Sequence, residues 1–248
     1  MLFGKKSVVE TCKSNISNIQ LNNSLISFSS FIKNLGITFD ENLTFDKHIK
    51  NVSNTTMYRL RQLRHIRPHF DKSSFKIIIH STITSRIDYC NSLLSGLYLN
   101  STYPLQLVQN FAARLILNRN KFCHITPLLH ELHWLPIQPR IKFKILLLIY
   151  KSLHGLAPSY LSNLLHPKEP SINLRSSNSN TLAIPKSKKP NGFFTRTMGD
   201  RAFSVYGPTE WNKLPEEIKS SSSLNLFKKS LKTYLFSNHF ENLNFLNS

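Results

Sequence analysis

The stretch Phe45-Asp46-Lys47-His48-Ile49-Lys50-Asn51-Val52-Ser53-Asn54-Thr55-Thr56-Met57-Tyr58-Arg59-Leu60-Arg61-Gln62-Leu63-Arg64-His65-Ile66-Arg67 decides the fold. Phe45, Ile49, Val52, Thr56, Leu60, Leu63 and Ile66 recur three or four residues apart, the spacing of one face of an α-helix. Asp46 lies near the first turn, where a carboxylate meets the positive end of the helix dipole. Arg67-Pro68 closes the helix, because the residue before a proline avoids helical backbone. Lys47, Lys50, Arg59, Arg61, Arg64 and Arg67 fall largely off the apolar stripe, with Asp46 the one acid among them. A helix with one apolar and one cationic side can pack on a bundle and follow a phosphate backbone. A merely solvated face is the plainer reading, but charge of nearly one sign favours phosphate contact.

Helical periodicity continues downstream. Asp71 or Ser73 caps a helix carrying Phe75, Ile78, Ile79, Ile83 and Ile87. Residues 91–102 read as a loop. Pro104 fits the first turn of a helix whose buried stripe is Leu105, Val108, Ala112, Leu115 and Ile116. Thr126-Pro127 opens another, which stops before Pro136. Pro139 opens the most apolar helix, through Ile141, Ile145, Leu148, Ile149 and Leu153, with Gly155 at its C-terminal cap. Apolar residues nearly encircle that helix, which places it at the centre of a bundle. A short helix follows near Tyr160–Leu165. Upstream, residues 7–39 read as β-like, with a turn at Asn22-Asn23-Ser24 and a strand over Phe31–Ile37 that bends at Gly36. Two or three such strands do not stand alone, so this piece should pack on something larger.

The predicted fold is therefore mainly α: a helical bundle with a small N-terminal antiparallel β-hairpin and a C-terminal helical unit. Four regions follow: 1–40, strands; 41–165, bundle; 166–198, a Pro/Ser/Asn-rich basic linker; and 199–248, a small helical unit using Leu224, Phe227, Leu231, Tyr234 and Leu235. The chain of 248 residues carries 32 Lys plus Arg against 13 Asp plus Glu, a net charge of +19. A field of that sign attracts polyanions, chiefly nucleic acid or an anionic membrane. An AT-rich gene would also enrich Lys, Asn, Ile and Phe. The 3 cysteines, Cys12, Cys90 and Cys123, lie far apart, which suits a reducing compartment, nucleus or cytoplasm. No apolar run approaches the ~20 residues of a membrane-spanning helix, so no membrane partner is expected.

The search for chemistry is negative. Two-metal catalysis needs clustered carboxylates. Asp40-Glu41 and Glu216-Glu217 read instead as capping or solvated residues. No phosphate-cradling glycine loop or nucleophile elbow occurs, so no catalytic residue is assigned. Cys123, His124, His130 and His133 cluster, but a zinc site wants four ligands and usually a close cysteine pair; interfacial or phosphate-facing histidines are the alternative. No metal ligand is assigned. Lys186, Lys188, Lys189 and Arg196 form a second basic group, read as a clamp on single-stranded RNA, an import signal, or an inert tract. Phe193, Phe194, Tyr206 and Trp211 could stack on bases, although a tryptophan in such a setting more often anchors a loop to the core.

Several blocks carry a resemblance. They are Leu35-Gly36-Ile37-Thr38-Phe39-Asp40, Ser85-Arg86-Ile87-Asp88-Tyr89-Cys90-Asn91, His133-Trp134-Leu135-Pro136, Leu153-His154-Gly155-Leu156-Ala157-Pro158, and Gly199-Asp200-Arg201-Ala202-Phe203 with Trp211-Asn212-Lys213-Leu214-Pro215. In order and spacing, over roughly residues 30–236, they resemble the end of the palm, the thumb and the following segment of non-LTR (LINE-type) retrotransposon reverse transcriptases. The resemblance implies that Leu35 and Gly36 belong to a primer-grip hairpin and that Met1-Leu2-Phe3-Gly4 continues a palm strand. It implies RNA and DNA as sequence-nonspecific partners, held as a template–primer duplex through phosphates. Fingers, palm and their magnesium-binding aspartates would lie upstream, so this chain alone is expected to need no cofactor and to be no enzyme. Two alternatives stay open: a non-functional retroelement remnant, or a domesticated interaction module docking through Trp134 and the Ile141–Leu153 helix.

Overall fold

The structure, a computed structural model, describes residues 1–16, 18–168, 180–185 and 198–244. It is mainly helical, with two small antiparallel hairpins near the N-terminus. The first departure from expectation lies there. Lys6–Asn15 forms a helix, α1, where β structure was expected. Of its residues only Val9 is buried, so no sheet face recruits its β-branched side chains, and strand preference depends on such a face. Residues 1–4 are not a strand either. Gly4 donates its N–H to Glu41 O (3.0 Å), and its carbonyl accepts from Asn42 Nδ2 (2.9 Å).

β1 (Asn18–Leu21) pairs with β2 (Ser24–Ser27) across Asn22, at φ +51°. β3 (Phe31–Asn34) pairs with β4 (Ile37–Asp40). The Phe31–Ile37 strand is thus two strands folded at Leu35-Gly36. Leu35 (φ +46°) and Gly36 (φ +83°) are both left-handed, as a two-residue I′ loop requires. Glycine takes this conformation freely, whereas Leu35 does so under strain. The Leu35 carbonyl accepts from the Tyr89 hydroxyl (2.8 Å).

Asp40 links sheet to helix. Its carboxylate accepts backbone N–H groups from Asn42 (3.1 Å), Thr44 (2.9 Å) and Phe45 (2.7 Å). That turns the chain into α2 (Asp46–Ile66). Asp71 then caps α3 (Lys72–Ile79) by accepting from Ser73 N and Ser74 N. The Ser73 and Ser74 side chains, and then these backbone bonds, hold its carboxyl well below the usual carboxylate range. A π-helical turn, His80–Thr84, carries α3 into α4 (Ser85–Asp88). α5 spans Leu99–Ile116, so Pro104 lies inside the helix and not at its start. The apolar stripe expected on α5 is buried as read, and α2 packs along it. The contact is close because Ser53 and Thr56 of α2 and Ala112 and Ala113 of α5 are small or compact at buried positions.

α6 (Ile125–Glu131) leads to α7 (Ile137–Leu153), which joins two cores. Ile137 and Ile141 belong to the first, with α2, α3 and α5. Ile145, Leu146, Ile149 and Tyr150 belong to the second. α7 ends at a left-handed Gly155 (φ +66°), with Leu156 N–H donating to Lys151 O (2.8 Å), the glycine cap that the sequence predicts. α8 (Ser159–Ser162) is a single turn.

The C-terminal helices pack on α7. α9 (Phe203–Asn212), α10 (Glu216–Lys219) and α11 (Leu224–Asn244) complete the second core against α7, through Trp211, Ile218, Phe227, Leu231 and Leu235. Phe240 reaches the first core. Tyr150 and Phe227 stack at 4.1 Å. The expected linker also contains a docked strap. Leu182 is buried, and both its backbone groups pair with the Asn212 amide at 2.8 Å. Trp211 Nε1 donates to Asn180 O (2.8 Å).

Replacing Asp40 with alanine strands three backbone donors. It should cost about 2 kcal/mol, read as a lower urea midpoint; an unchanged midpoint would show that water takes over. A second expectation concerns Glu210, 9% exposed and bonded by Lys142 (2.9 Å) and Lys213 (2.6 Å). Burial pushes its carboxyl up, but the two lysines outweigh it and hold it below the ordinary 4.5. The stability it contributes is therefore present above the unfolded-state value and lost as pH falls through the folded one. Glu210→Gln should flatten the loss of stability in acid, measured by denaturation across that range.

Candidate nucleic-acid interface

An α-helix turns about 100° per residue, so positions eleven or fourteen apart lie on nearly one face and positions nine apart lie on opposite sides. Lys50, Arg61 and Arg64 therefore share a face of α2, and all three are exposed. The span from Lys50 to Arg64 is roughly 21 Å along the axis, about six nucleotide steps of one strand. Lys47 lies at the edge of this face, with its Nζ 3.9 Å above the Phe31 ring. Asp46 is the only acid of α2.

Two expected contacts fall elsewhere. Arg59, nine residues from Lys50, is on the opposite flank and half-buried. Arg67 is a structural clamp. Its Nε donates to Leu115 O (3.0 Å), its Nη2 to Ile116 O (2.9 Å) and its Nη1 to Phe70 O (2.7 Å). The first two are carbonyls of the last turn of α5, where intrahelical donors run out. A guanidinium spent in that way has little left for a phosphate. Lys186, Lys188, Lys189 and Arg196, with Phe193 and Phe194, lie outside the described residues.

The structure adds cations that periodicity could not place. The loop after α5 brings Arg119 and Lys121 beside Arg64, around a cleft of about 700 Å³ that no acidic residue lines among the described residues. Phe122 stands in this loop 83% exposed, and Lys121 Nζ lies 4.9 Å from its ring. Hydrogen bonds tie the loop down. Asn120 Oδ1 accepts from Phe122 N (3.1 Å) and Cys123 N (3.0 Å), and Arg114 donates twice to Cys123 O. A bare aromatic ring beside cations that have no acidic partner among the described residues suits an unstacked base next to its phosphate. A sequence signal existed in Arg119-Asn120-Lys121-Phe122, but nothing local joined it to α2.

Leu35 and Gly36 occupy the hairpin tip. Gly36 borders a smaller groove with Lys33, His48 and Arg86, about 290 Å³. Loss of hydration lowers the proton affinity of His48, whose ring lies 3.5 Å from Thr38 N. Of the histidines considered for zinc, His130 and His133 pack on aromatic rings: His130 lies 5.1 Å from Phe236 and 5.4 Å from Phe240, and His133 5.8 Å from Phe236. Among the described residues no group of three or more His, Cys, Asp or Glu side chains could hold a metal ion. Trp211, 1% exposed, anchors the strap described above and is closed to base stacking. No helix among the described residues is long and apolar enough to cross a membrane. No protein-family model, curated protein or solved structure matches the chain.

The shared face can be separated from Arg59 by experiment. The triple substitution Lys50→Gln, Arg61→Gln, Arg64→Gln should lower the slope of log affinity against log salt by about three. Arg59→Gln should leave the slope nearly unchanged. Fluorescence anisotropy with a labelled duplex measures both, and equal effects would erase the distinction.

Proposed function

We propose that this chain binds nucleic acid through phosphate contacts, without sequence preference and without catalysing a reaction itself. The observation that carries the reading is the α2 face of Lys50, Arg61 and Arg64, joined at Arg64 by Arg119 and Lys121 around a cleft that no carboxylate lines among the described residues. Such contacts position a duplex but read no base. On this reading the chain acts as a holding element in nucleic-acid copying, like the thumb and downstream segment of the non-LTR reverse transcriptases that its blocks resemble. The hairpin bent at Leu35-Gly36 and followed by a helical body is the arrangement the resemblance implies. RNA and DNA are then its partners, and magnesium belongs with the fingers and palm of the full enzyme.

The remnant reading has one observation in its favour. Leu21 (61%), Leu25 (72%) and Leu35 (82%) are exposed on the hairpins, apolar surface that a partner would be expected to cover. By the resemblance, the palm of such an enzyme would be that cover. The interaction-module reading has no such support. Trp134 is 4% exposed, and Ile141, Ile145 and Ile149 are buried within the protein's own cores.

A salt series tests the proposal. With about four phosphate contacts, affinity for an RNA–DNA duplex should fall roughly a hundredfold between 50 and 200 mM salt. Duplexes of unrelated sequence should bind alike. Salt-insensitive binding, or strong preference for one sequence, would count against it. Primer extension by the chain alone should be blank.

A further inference from the structure

A second cleft, of about 400 Å³, lies between α3, α7, α11 and the turn before α7. It shares no lining residue with the surface around Arg64 and Lys121. Lys76 enters from α3, Arg140 and Lys144 from α7, and Lys232 from α11. One carboxylate, Asp88, faces these four cations, and it is already paired with Arg140 (2.6 Å). Lys76, Lys144 and Lys232 have no acidic partner among the described residues. Like charges gathered without counter-charge repel one another, and a bound anion relieves that repulsion.

The floor is of a different chemistry. Leu132, Trp134, Leu135 and Phe143 line it. Trp134 and Asn91, both buried residues of the lining, each carry a polar atom that no described group bonds: the indole N–H and the amide oxygen. His80 sits at the start of the π-helical turn, a feature frequent at functional sites. Its ring meets Trp134 edge-on at 5.5 Å.

We infer that this cleft binds a phosphate monoester carrying a planar ring, the chemistry of a nucleoside monophosphate unit, with the phosphate on the lysines and the ring on the apolar floor. The volume lies within the range of small-ligand sites and is far too small for a duplex. An inorganic anion would engage the lysines and leave the floor unused. The unit could be a free nucleotide or the phosphorylated end of a strand. The inference does not rest on duplex binding by α2.

His80 provides the readout. Its protonation is disfavoured first by lost hydration and then by Arg140, Lys76 and Lys232, with Asp88 alone opposing them. Lys144 and His133 also line the cleft. Histidine-edited NMR on the full chain, with the His80 signal assigned by His80→Gln, follows this ring. Adenosine 5′-monophosphate should shift the His80 resonances and raise its titration midpoint, since a bound dianion favours the imidazolium. Lys144→Gln and Lys232→Gln, made singly at side chains that are not fully buried, should each weaken binding about tenfold or more. A 5′-phosphorylated oligonucleotide that reproduces the shift, where its 5′-hydroxyl twin does not, identifies a strand end as the source; a shift with the mononucleotide alone identifies a free nucleotide. An undisturbed His80 in the presence of adenosine 5′-monophosphate overturns the inference. So does adenosine binding as well as its phosphate, or inorganic phosphate matching the nucleotide.

Discussion

Helix α7 carries apolar side chains around most of its circumference, and one neighbour cannot cover them. The chain must bring helices to it from both directions. α5 and the turn Asn91–Leu94 pack on its N-terminal half, with α2 and α3 completing that core, and α9 and α11 pack on the rest. The C-terminal helices cannot drift away as an independent unit, because Ile145, Ile149 and Tyr150 would then face water. At roughly 2 kcal/mol for each large apolar side chain removed from solvent, docking outweighs the ordering of the intervening strap.

Burial of the apolar residues pushes charge to the surface, and the acids are then consumed locally. Asp40 and Asp71 bind backbone N–H groups at the starts of helices. Glu41 pairs with Lys13, Asp88 with Arg140, Glu131 with Lys72, and Glu210 with Lys142 and Lys213. A chain with 13 acids and 32 basic residues that spends its carboxylates in this way leaves whole surfaces cationic. The α2 face with Arg119 and Lys121, and the cleft beneath Lys144 and Lys232, are two such surfaces. They differ in floor and scale, and the ligands proposed for them differ accordingly: an extended backbone on the first, a single ringed phosphate in the second.

The helices were largely legible because periodicity, caps and prolines are local signals. Gly155, Asp71 and the stripes of α2, α5 and α7 follow from spacing alone. Errors arose where neighbours in space overrode the local signal. Lys6–Asn15 has β-branched residues but no sheet to join. Pro104 marks a first turn in isolation, yet α5 begins five residues earlier. Arg67 reads as one more phosphate ligand, but α5 ends beside it, and its open carbonyls take the guanidinium. Leu182 lies in a stretch that composition assigns to a linker, and Asn212 pins it down.

The order of residues thus dictated which segments coil, where they stop, and that positive charge would be left over, since each of these depends on a few chain neighbours. Which cations stand together was settled by packing. Arg64 meets Lys121, and Lys76 meets Lys232, across stretches of chain that no periodicity connects. Their adjacency arises from helices closing around α7, and a pattern read along one dimension holds no measure of that closure.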